Sequence, residues 1–273
     1  MSRMRVAAKH GYADGAMLAA AAKRYRGYPV APLGYGTVRD YCDSYDHLHP
    51  LATANGDLKD QQRPWMLKAV ISQVRNSPGR LLEIGAGEPL VADCLRRLGH
   101  DVWIVDPYDG SGNGPREYGR FTSRYKDLRF IRDQFTEATP ELEPASFDCI
   151  YSISVLEHIP PADLARLFEG LRLFLRPSGL SLHAVDHVHR GNDAERHLEG
   201  LKLMTSGFGL REEELDQVLG TMSDDVETYY LSAESHNHWR AGVPYDEFPM
   251  RVCVSIQFCT PASGIAPDKP TTP

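Results

Sequence analysis

The sequence predicts an α/β fold in which helices cover both faces of a doubly wound, mostly parallel sheet. Strand patterns and amphipathic helix patterns alternate through the middle of the chain. A turn with two glycines, Gly85 and Gly87, follows the first strand of this alternation, and Asp106 ends the next strand. Such an alternation is typical of parallel strands joined by crossover helices.

The composition is that of a globular chain with a full hydrophobic core. The 273 residues are 42% hydrophobic and 25% charged, enough for one large domain with an appendage. No apolar run could span a bilayer and no secretory signal pattern opens the chain, so we expect a cytoplasmic protein without a membrane partner. The net charge of −7 argues against a nucleic-acid partner. Five cysteines without metal-ligand spacing favour a reducing compartment.

Residues 1–60 are expected to form a partly helical extension before the core. They contain six of the 13 tyrosines, and the helical pattern ADGAMLAAAAKRY precedes the Pro/Gly-broken segment RGYPVAPLGYG. This extension could close over a ligand as a lid, line an acceptor pocket with its tyrosines, pack as an appendage or form a homodimer contact. The sequence leaves these roles open.

The elements of the core follow in chain order. A helix is predicted from Pro64, which suits a first turn, because the apolar residues after it share one face. Two further helices are expected at residues 89–98 and 161–175. Core strands are predicted at residues 80–84, 101–105, 128–131, 147–152 and 180–185, and late antiparallel strands at residues 226–231 and 251–258. The tail at residues 261–273 is expected to be disordered.

The turn after the first core strand has the chemistry of a ligand site. Gly85 and Gly87 let a ligand lie against backbone N–H groups, and Asp106 could accept hydrogen bonds from both hydroxyls of a ribose. Where a dinucleotide-binding turn has its third glycine, this chain has Leu90, and the acids Glu83 and Glu88 lie in the turn. Because these acids disfavour a diphosphate and favour a cation, S-adenosylmethionine fits better than NAD.

Five motifs resemble those of class I S-adenosylmethionine-dependent methyltransferases. LLEIGAGEP is similar to the first motif of that family, IVDP to the second, FIRDQF to the third, FDCIYSISVLEHIP to the fourth, and LFLRPSGLSL to its strand after a leader-Pro-Gly turn. The chain departs from the family at Pro89, where glycine is common. The resemblance implies a Rossmann-like sheet of seven strands with an antiparallel last strand, a core at residues 61–260, and methyl transfer to a small molecule.

The resemblance also implies which residues bind S-adenosylmethionine, with S-adenosylhomocysteine as the product. The implied contacts are Glu83 with the ammonium group, Gly85, Ala86 and Gly87 with the methionine and ribose parts, Asp106 beside Pro107 with the ribose diol, Asp133, Gln134 and Phe135 with the adenine, and Ser152 and Ile153 with the methionine end. Each position also has a structural explanation, since glycines and acids are common in strand–helix turns.

Histidines follow the fifth core strand, where an acceptor would bind. The sequence LHAVDHVHRGND contains His183, His187 and His189, and alternation places His183 and His187 on the side opposite to Asp186. Because histidine titrates near neutral pH, His187 or His189 is the leading candidate for the base that deprotonates a hydroxyl acceptor. His158, in the LEH sequence after the fourth strand, is expected to serve mainly as scaffold.

A metal site is not predicted, and the acceptor stays open. A divalent metal is chemically compatible with a ligand set of Glu157 together with Asp186, His187 or His189. The spacing of these residues is not a metal motif. The late residues that could border an acceptor pocket, or pack between strands instead, are His236, His238, Trp239 and Tyr245. The alternatives to O-methylation are an N- or C-methyltransferase, a nicotinamide-dependent oxidoreductase and a non-catalytic binding protein.

Overall fold

The computed structural model describes residues 13–54, 56–74, 78–111, 114–232 and 253–267, which form one seven-stranded sheet with helices on both faces. The strands are β1 (Leu33–Tyr35), β2 (Arg80–Ile84), β3 (Asp101–Val105), β4 (Arg129–Ile131), β5 (Phe147–Ile153), β6 (Leu175–Val188) and β7 (Cys253–Pro261). The α-helices are α1 (Gly15–Arg24), α2 (Val38–His47), α3 (Lys59–Gln73), α4 (Leu90–Arg97), α5 (Tyr118–Arg124), α6 (Pro161–Phe174), α7 (Ala194–Gly207) and α8 (Glu212–Asp224).

The sheet has the order β1-β7-β6-β5-β2-β3-β4. Strands β2 to β6 are parallel to one another, whereas β7 runs antiparallel to both β6 and β1. The predicted α/β fold, with a mostly parallel sheet and an antiparallel last strand, is therefore confirmed. The order reverses between β2 and β5, and the carboxyl ends of strands at such a switch point form the usual ligand crevice.

One predicted strand is wrong, and another element replaces it in the sheet. Residues 226–231 make two isolated bridges and no strand. The strand that brings the sheet to seven is β1, which comes from the N-terminal segment expected to form a partly helical extension. It pairs with Phe258, Gln257 and Ile256 of β7. A three-residue strand is too short to show the alternation by which strands are recognised in a sequence.

Helix α3 begins earlier than predicted, so Pro64 lies inside the helix rather than in its first turn. The preceding residues are polar and look like a loop in the sequence, yet Asp60, Gln61 and Gln62 are buried. The Asp60 carboxylate accepts hydrogen bonds from the backbone N–H and hydroxyl of Thr53. These hydrogen bonds explain why the Asp60 carboxylate is buried despite its charge.

A buried cation joins the N-terminal helices to the core. The Lys68 ammonium group lies 2.9 Å from Asp40 Oδ1 and 2.7 Å from Asp43 Oδ2. The hydroxyls of Tyr25 and Tyr28 donate to the same two carboxylates, and both rings lie beside the ammonium group. Within the described ranges, no helix has the length and apolar character needed to cross a membrane.

Candidate functional site

The turn after β2 adopts a backbone conformation that favours glycine. Gly85 has φ +62° and Gly87 has φ +55°, both in the left-handed region. A Cβ on Gly85 would lie 2.7 Å from a methyl group of Val155, which follows β5. Glycine at this position therefore lets the carboxyl ends of β2 and β5 approach each other and leaves a cradle lined by backbone. Ala86 lies between the two glycines and is partly exposed.

Asp106, directly after β3, is tied to this turn. Its Oδ2 accepts a hydrogen bond from Gly87 N at 2.9 Å and its Oδ1 accepts one from Tyr108 N at 2.8 Å. Each oxygen keeps a lone pair for a further donor such as a ribose hydroxyl. Burial raises the pKa of Asp106, and the two backbone hydrogen bonds oppose that rise. Tyr108, which the sequence analysis missed, donates its hydroxyl to Gly87 O at 3.0 Å.

Glu83 is a buried carboxylate at the end of β2. The residue is 3% exposed, and its Oε2 accepts a hydrogen bond from the Tyr151 hydroxyl at 3.1 Å. Burial raises the pKa of Glu83 to about 8, against the hydrogen bond from Tyr151 and the charge of Arg63 on α3. A ligand cation beside Glu83 would stabilise its ionised form. This position therefore fits an ammonium group.

The second acid of the turn is already paired. Glu88 Oε1 accepts hydrogen bonds from Arg124 at 2.8 Å and from the Tyr125 hydroxyl at 3.0 Å, both at the end of α5. Because Arg124 neutralises its charge, Glu88 does not favour a cation as the sequence analysis expected. The electrostatic case for a cationic ligand rests on Glu83 and Asp106.

The residues predicted around the ribose and the adenine separate into two environments. Pro107 follows Asp106, and the exposed residues Asp133 and Gln134 follow β4, at the same edge of the sheet. Phe135 is 8% exposed and packs against Phe174 of α6, with ring centroids 5.9 Å apart. Pro107, Asp133 and Gln134 therefore lie at the carboxyl edge of the sheet, whereas the Phe135 side chain lies in the core.

A polar cluster that the sequence analysis missed joins α3 to the ends of β5 and β6. Ser154 has φ +52°, and its hydroxyl lies 2.7 Å from Gln62 Oε1 and 3.0 Å from Asp186 Oδ1. Gln62 Nε2 donates to the same Asp186 oxygen at 2.8 Å. Because Ser154 follows β5 and precedes Val155, this cluster lies next to the glycine cradle.

Glu157 extends this cluster from the 3-10 helix at residues 156–158. Its Oε1 accepts a hydrogen bond from Asp186 N at 2.9 Å, whereas its Oε2 is buried without a partner among the described residues. Burial and the charge of Asp186 raise the pKa of Glu157 to about 8, and Lys59 of α3 opposes that rise. Burial lowers the pKa of Lys59, against the charges of Asp186 and Glu157.

His183 and its neighbours lie in the core. Its two ring nitrogens lie 2.7 Å from Ser152 Oγ and 2.7 Å from Ser181 Oγ, so both are engaged. The ring stacks on Phe208, and burial lowers its pKa to about 3. The Ser152 side chain is thus engaged with His183 on the neighbouring strand. Ile153 packs in the apolar core and is 8% exposed.

His187 projects from β6 on the face opposite to Asp186, as alternation predicts, because it packs with α7 whereas Asp186 meets α3. Its ring lies 5.9 Å from that of His189 and 6.3 Å from that of His197. Its Nδ1 is buried and has no partner in the part of the chain that is described. Burial and the two neighbouring imidazoles lower the pKa of His187 to about 3. His197, whose Nδ1 lies 3.1 Å from Asp186 O, was missed by the sequence analysis.

The remaining predicted residues do not add a metal centre. His158 is exposed in the 3-10 helix. Among the residues described, no group of three or more His, Cys, Asp and Glu side chains is arranged to hold a metal ion. The four late candidates lie outside the described residues: His236, His238, Trp239 and Tyr245.

A family model described as a methyltransferase domain matches residues 59–248. The chain is 32% identical over 150 residues to the "Probable non-canonical nonribosomal peptide synthetase (NRPS) CymA" of Salinispora arenicola, covering 55% of this chain and 2% of that one. It is 30% identical over 118 residues to a ubiquinone biosynthesis O-methyltransferase of Xylella fastidiosa, covering 42% of this chain and 45% of that one. The chain thus spans less than half the length of these relatives.

One structural neighbour is a geranyl diphosphate C-methyltransferase from Streptomyces coelicolor A3(2), which was solved with Mg²⁺, geranyl diphosphate and S-adenosyl-L-homocysteine. The superposed region covers 90% of this chain and 98% of that chain, with a TM-score of 0.45 and 11% sequence identity. A likeness of this degree says nothing about the substrate. The family match, in contrast, runs from α3 past α8 and includes the glycine turn with its buried acids. The chain belongs to the class I S-adenosylmethionine-dependent methyltransferases.

Proposed function

We propose that this chain methylates a hydroxyl of a small-molecule acceptor at the carboxyl ends of β5 and β6. The observation that carries the proposal is the partly buried polar cluster of Ser154, Glu157 and Asp186, which follows β5 and β6 next to the glycine cradle. In-line transfer requires the acceptor to be held next to the methyl donor, and this cluster offers fixed hydrogen-bonding groups there. A relative named as an O-methyltransferase supports an oxygen acceptor. The family match removes the ground for a nicotinamide-dependent oxidoreductase.

The residues at the cradle fit S-adenosylmethionine. Gly85 and Gly87 allow close approach to the backbone, Asp106 has lone pairs for ribose hydroxyls, and Glu83 complements an ammonium group. Arg63, whose charge acts on Glu83, complements the carboxylate of the methionine part. When bound, S-adenosylmethionine supplies a methyl group on a positively charged sulfur, which makes that carbon electrophilic.

His187 is our first candidate for the group that takes the acceptor proton. Burial and the neighbouring imidazoles lower its pKa, so it is neutral near pH 7, and its buried Nδ1 has no partner among the described residues. Because His187 faces α7 whereas the polar cluster faces α3, this role requires an acceptor that extends past the end of β6 to the ring. His183 has both nitrogens engaged by serines and serves to hold β5 and β6 in register. The lowered pKa of His187 also makes it a weak base, so it would act on an acceptor hydroxyl that is already acidic, such as a phenol.

Glu157 is the second candidate, favoured by its Oε2, which is buried and has no partner among the described residues. Its Oε1 is fixed by Asp186 N, so the second oxygen is held in place without a partner of its own. A carboxylate with a raised pKa is a stronger base than an ordinary one and accepts a proton readily near neutral pH.

The first test is calorimetry with S-adenosylhomocysteine on the full chain. We expect binding by the wild type, a loss of at least tenfold in affinity for Asp106→Asn, and no change for the exposed Asp109→Asn. The acceptor is then tested with methyl-labelled S-adenosylmethionine and two molecules of matched shape, catechol and 1,2-phenylenediamine. Transfer to catechol supports an oxygen acceptor, and transfer to the diamine alone would replace this proposal with N-methylation.

A further inference from the structure

The sheet ends at β1 in an edge that no other described strand covers. The N–H of Gly36 donates to Ser255 O at 3.0 Å, whereas its C=O accepts from Tyr229 N at 2.9 Å. Gly34 is paired with Gln257, so its backbone groups face β7. Because an extended strand alternates, the N–H and C=O groups of Leu33 and Tyr35 point away from β7. An open row of donors and acceptors of this kind is a template for a further strand.

This edge forms the floor of a groove between α3 and α8. The groove has a volume of about 570 Å³, within the range of small-molecule sites. Gln61 and Trp65 of α3 line one side, and Gln217 and Val218 of α8 line the other. Two strands, β7 and β6, separate β1 from β5, so the groove is distinct from the cradle and polar cluster of the methyl-transfer site.

Two buried amides line this groove without complete hydrogen bonding. Gln61 is 0% exposed and Gln257 is 6% exposed. Gln61 Oε1, an acceptor, and Gln257 Nε2, a donor, are both buried with no partner among the described residues. Both amides pack on β1, because a Cβ on Gly36 would lie 2.6 Å from Gln61 Oε1 and one on Gly34 would lie 3.7 Å from Gln257 Oε1. Buried polar groups without partners cost free energy that a matching ligand would recover.

The two carboxylates that line the groove are both paired. Asp40 lies 2.9 Å from the fully buried Lys68 ammonium group, and Glu214 lies 3.2 Å from the Arg211 guanidinium group. The described lining contains no Lys, Arg or His. A groove without a free charge in its described lining complements an uncharged ligand.

We propose that this groove binds a small, uncharged molecule with an extended, peptide-like amide backbone, which adds to β1 as a further strand. Alternating N–H and C=O groups match those of Leu33 and Tyr35, as in other cases of strand addition. Because an amide is both donor and acceptor, such a ligand carries the groups that complement Gln61 Oε1 and Gln257 Nε2. A molecule with acceptors alone would satisfy only one of the two.

The test uses the blocked tripeptide N-acetyl-Val-Ala-Val-N-methylamide, titrated against the full chain by saturation-transfer NMR. Its matched control is the same peptide with every backbone nitrogen methylated, which removes the N–H donors that addition to a strand edge requires. We expect saturable binding of the blocked peptide and at least tenfold weaker binding of the methylated one. A version with a free carboxylate should also bind more weakly. Equal binding of the blocked and methylated peptides, or binding of neither, overturns the proposal.

A pair of variants then locates the site. Gln217→Trp puts a bulky ring into the groove from α8, whereas Asp216→Trp changes the exposed neighbour that does not line it. We expect at least a tenfold loss of peptide affinity for Gln217→Trp and none for Asp216→Trp, with equal unfolding midpoints. Equal peptide affinity in both variants contradicts the proposal. S-adenosylhomocysteine affinity, measured in parallel, should be unchanged, which separates this site from the proposed methyl-transfer function.

Discussion

The Lys68 ammonium group lies 2.7 Å from Asp43 Oδ2, and none of the Lys68 side chain is exposed. This pair ties α2 to α3. Lys68→Ala would leave the carboxylates of Asp40 and Asp43 without their buried cation, so we expect a loss of about 3–5 kcal/mol in the free energy of unfolding. Urea denaturation followed by circular dichroism measures it. Lys202→Ala, which removes a surface pair with Glu212, is the control and should leave the urea midpoint nearly unchanged.

Gly85→Ala should damage both the fold and the cradle. The left-handed φ and the 2.7 Å approach to Val155 each penalise a Cβ at this position. We expect a loss of about 1–3 kcal/mol in stability and a clear loss of S-adenosylhomocysteine affinity. Gly99→Ala controls for backbone strain alone, because Gly99 has φ +101° and no atom within 4 Å of its Cβ position. Unchanged S-adenosylhomocysteine affinity in Gly85→Ala would argue against the cradle.

Glu83→Gln should alter both stability and ligand binding. The pKa of Glu83 is raised to about 8 in the folded protein from an ordinary value of 4.5, so the folded chain holds a proton that the unfolded chain releases. Stability from this group is therefore fully present below about pH 4.5 and decreases toward pH 8, by up to about 1.4 kcal/mol per pH unit.

In Glu83→Gln, unfolding measured from pH 5 to pH 8 should show a shallower decrease than in the wild type. S-adenosylhomocysteine should bind at least tenfold more weakly, because the ammonium group loses its counter-charge. Glu157→Gln is the matched control, since it also removes a carboxyl with a raised pKa and should leave that affinity unchanged. Equal loss of affinity in both variants would contradict the role assigned to Glu83.

The pH dependence of methyl transfer should distinguish the two proton acceptors. If Glu157 is the base, kcat/KM rises with pH up to about 8, because only the ionised carboxylate accepts a proton. If His187 is the base, its pKa of about 3 leaves it neutral throughout, and the profile is flat between pH 5 and pH 8. The two candidates are distinguished by measuring the pH profile of kcat/KM for Glu157→Gln, His187→Gln and the wild type. The variant that lacks the base should lose the most rate. Only Glu157→Gln can abolish an increase of kcat/KM with pH.

The parts of the fold that follow a local sequence pattern could be predicted from the sequence. Strands β2 and β3 occur at the predicted bounds, because each is a short apolar run bounded by turn residues. The glycine turn was recognisable for a similar reason, since left-handed backbone demands glycine at Gly85 and Gly87. These features depend on a few consecutive residues.

Features that depend on distant partners could not be predicted. Glu88 looked like part of a cation site until its pairing with Arg124 on another helix was visible. Gln62 and Ser154 looked like ordinary polar residues, and only the folded chain brings them together on Asp186. A single sequence carries no signal for such pairings, because they join residues from separate elements.

The pairing of β1 with β7 also bears on how the chain folds. Leu33 and Phe258 come from opposite ends of the sequence, so their pairing closes most of the chain into a loop. Closing a long loop costs conformational entropy before its contacts are gained, and a large share of such non-local pairs accompanies slow folding. The parallel strands can assemble first, and β1 then completes the sheet. The first and last segments of the chain therefore stabilise each other, and a domain cut at residue 60 would leave β7 as an uncovered edge open to intermolecular pairing.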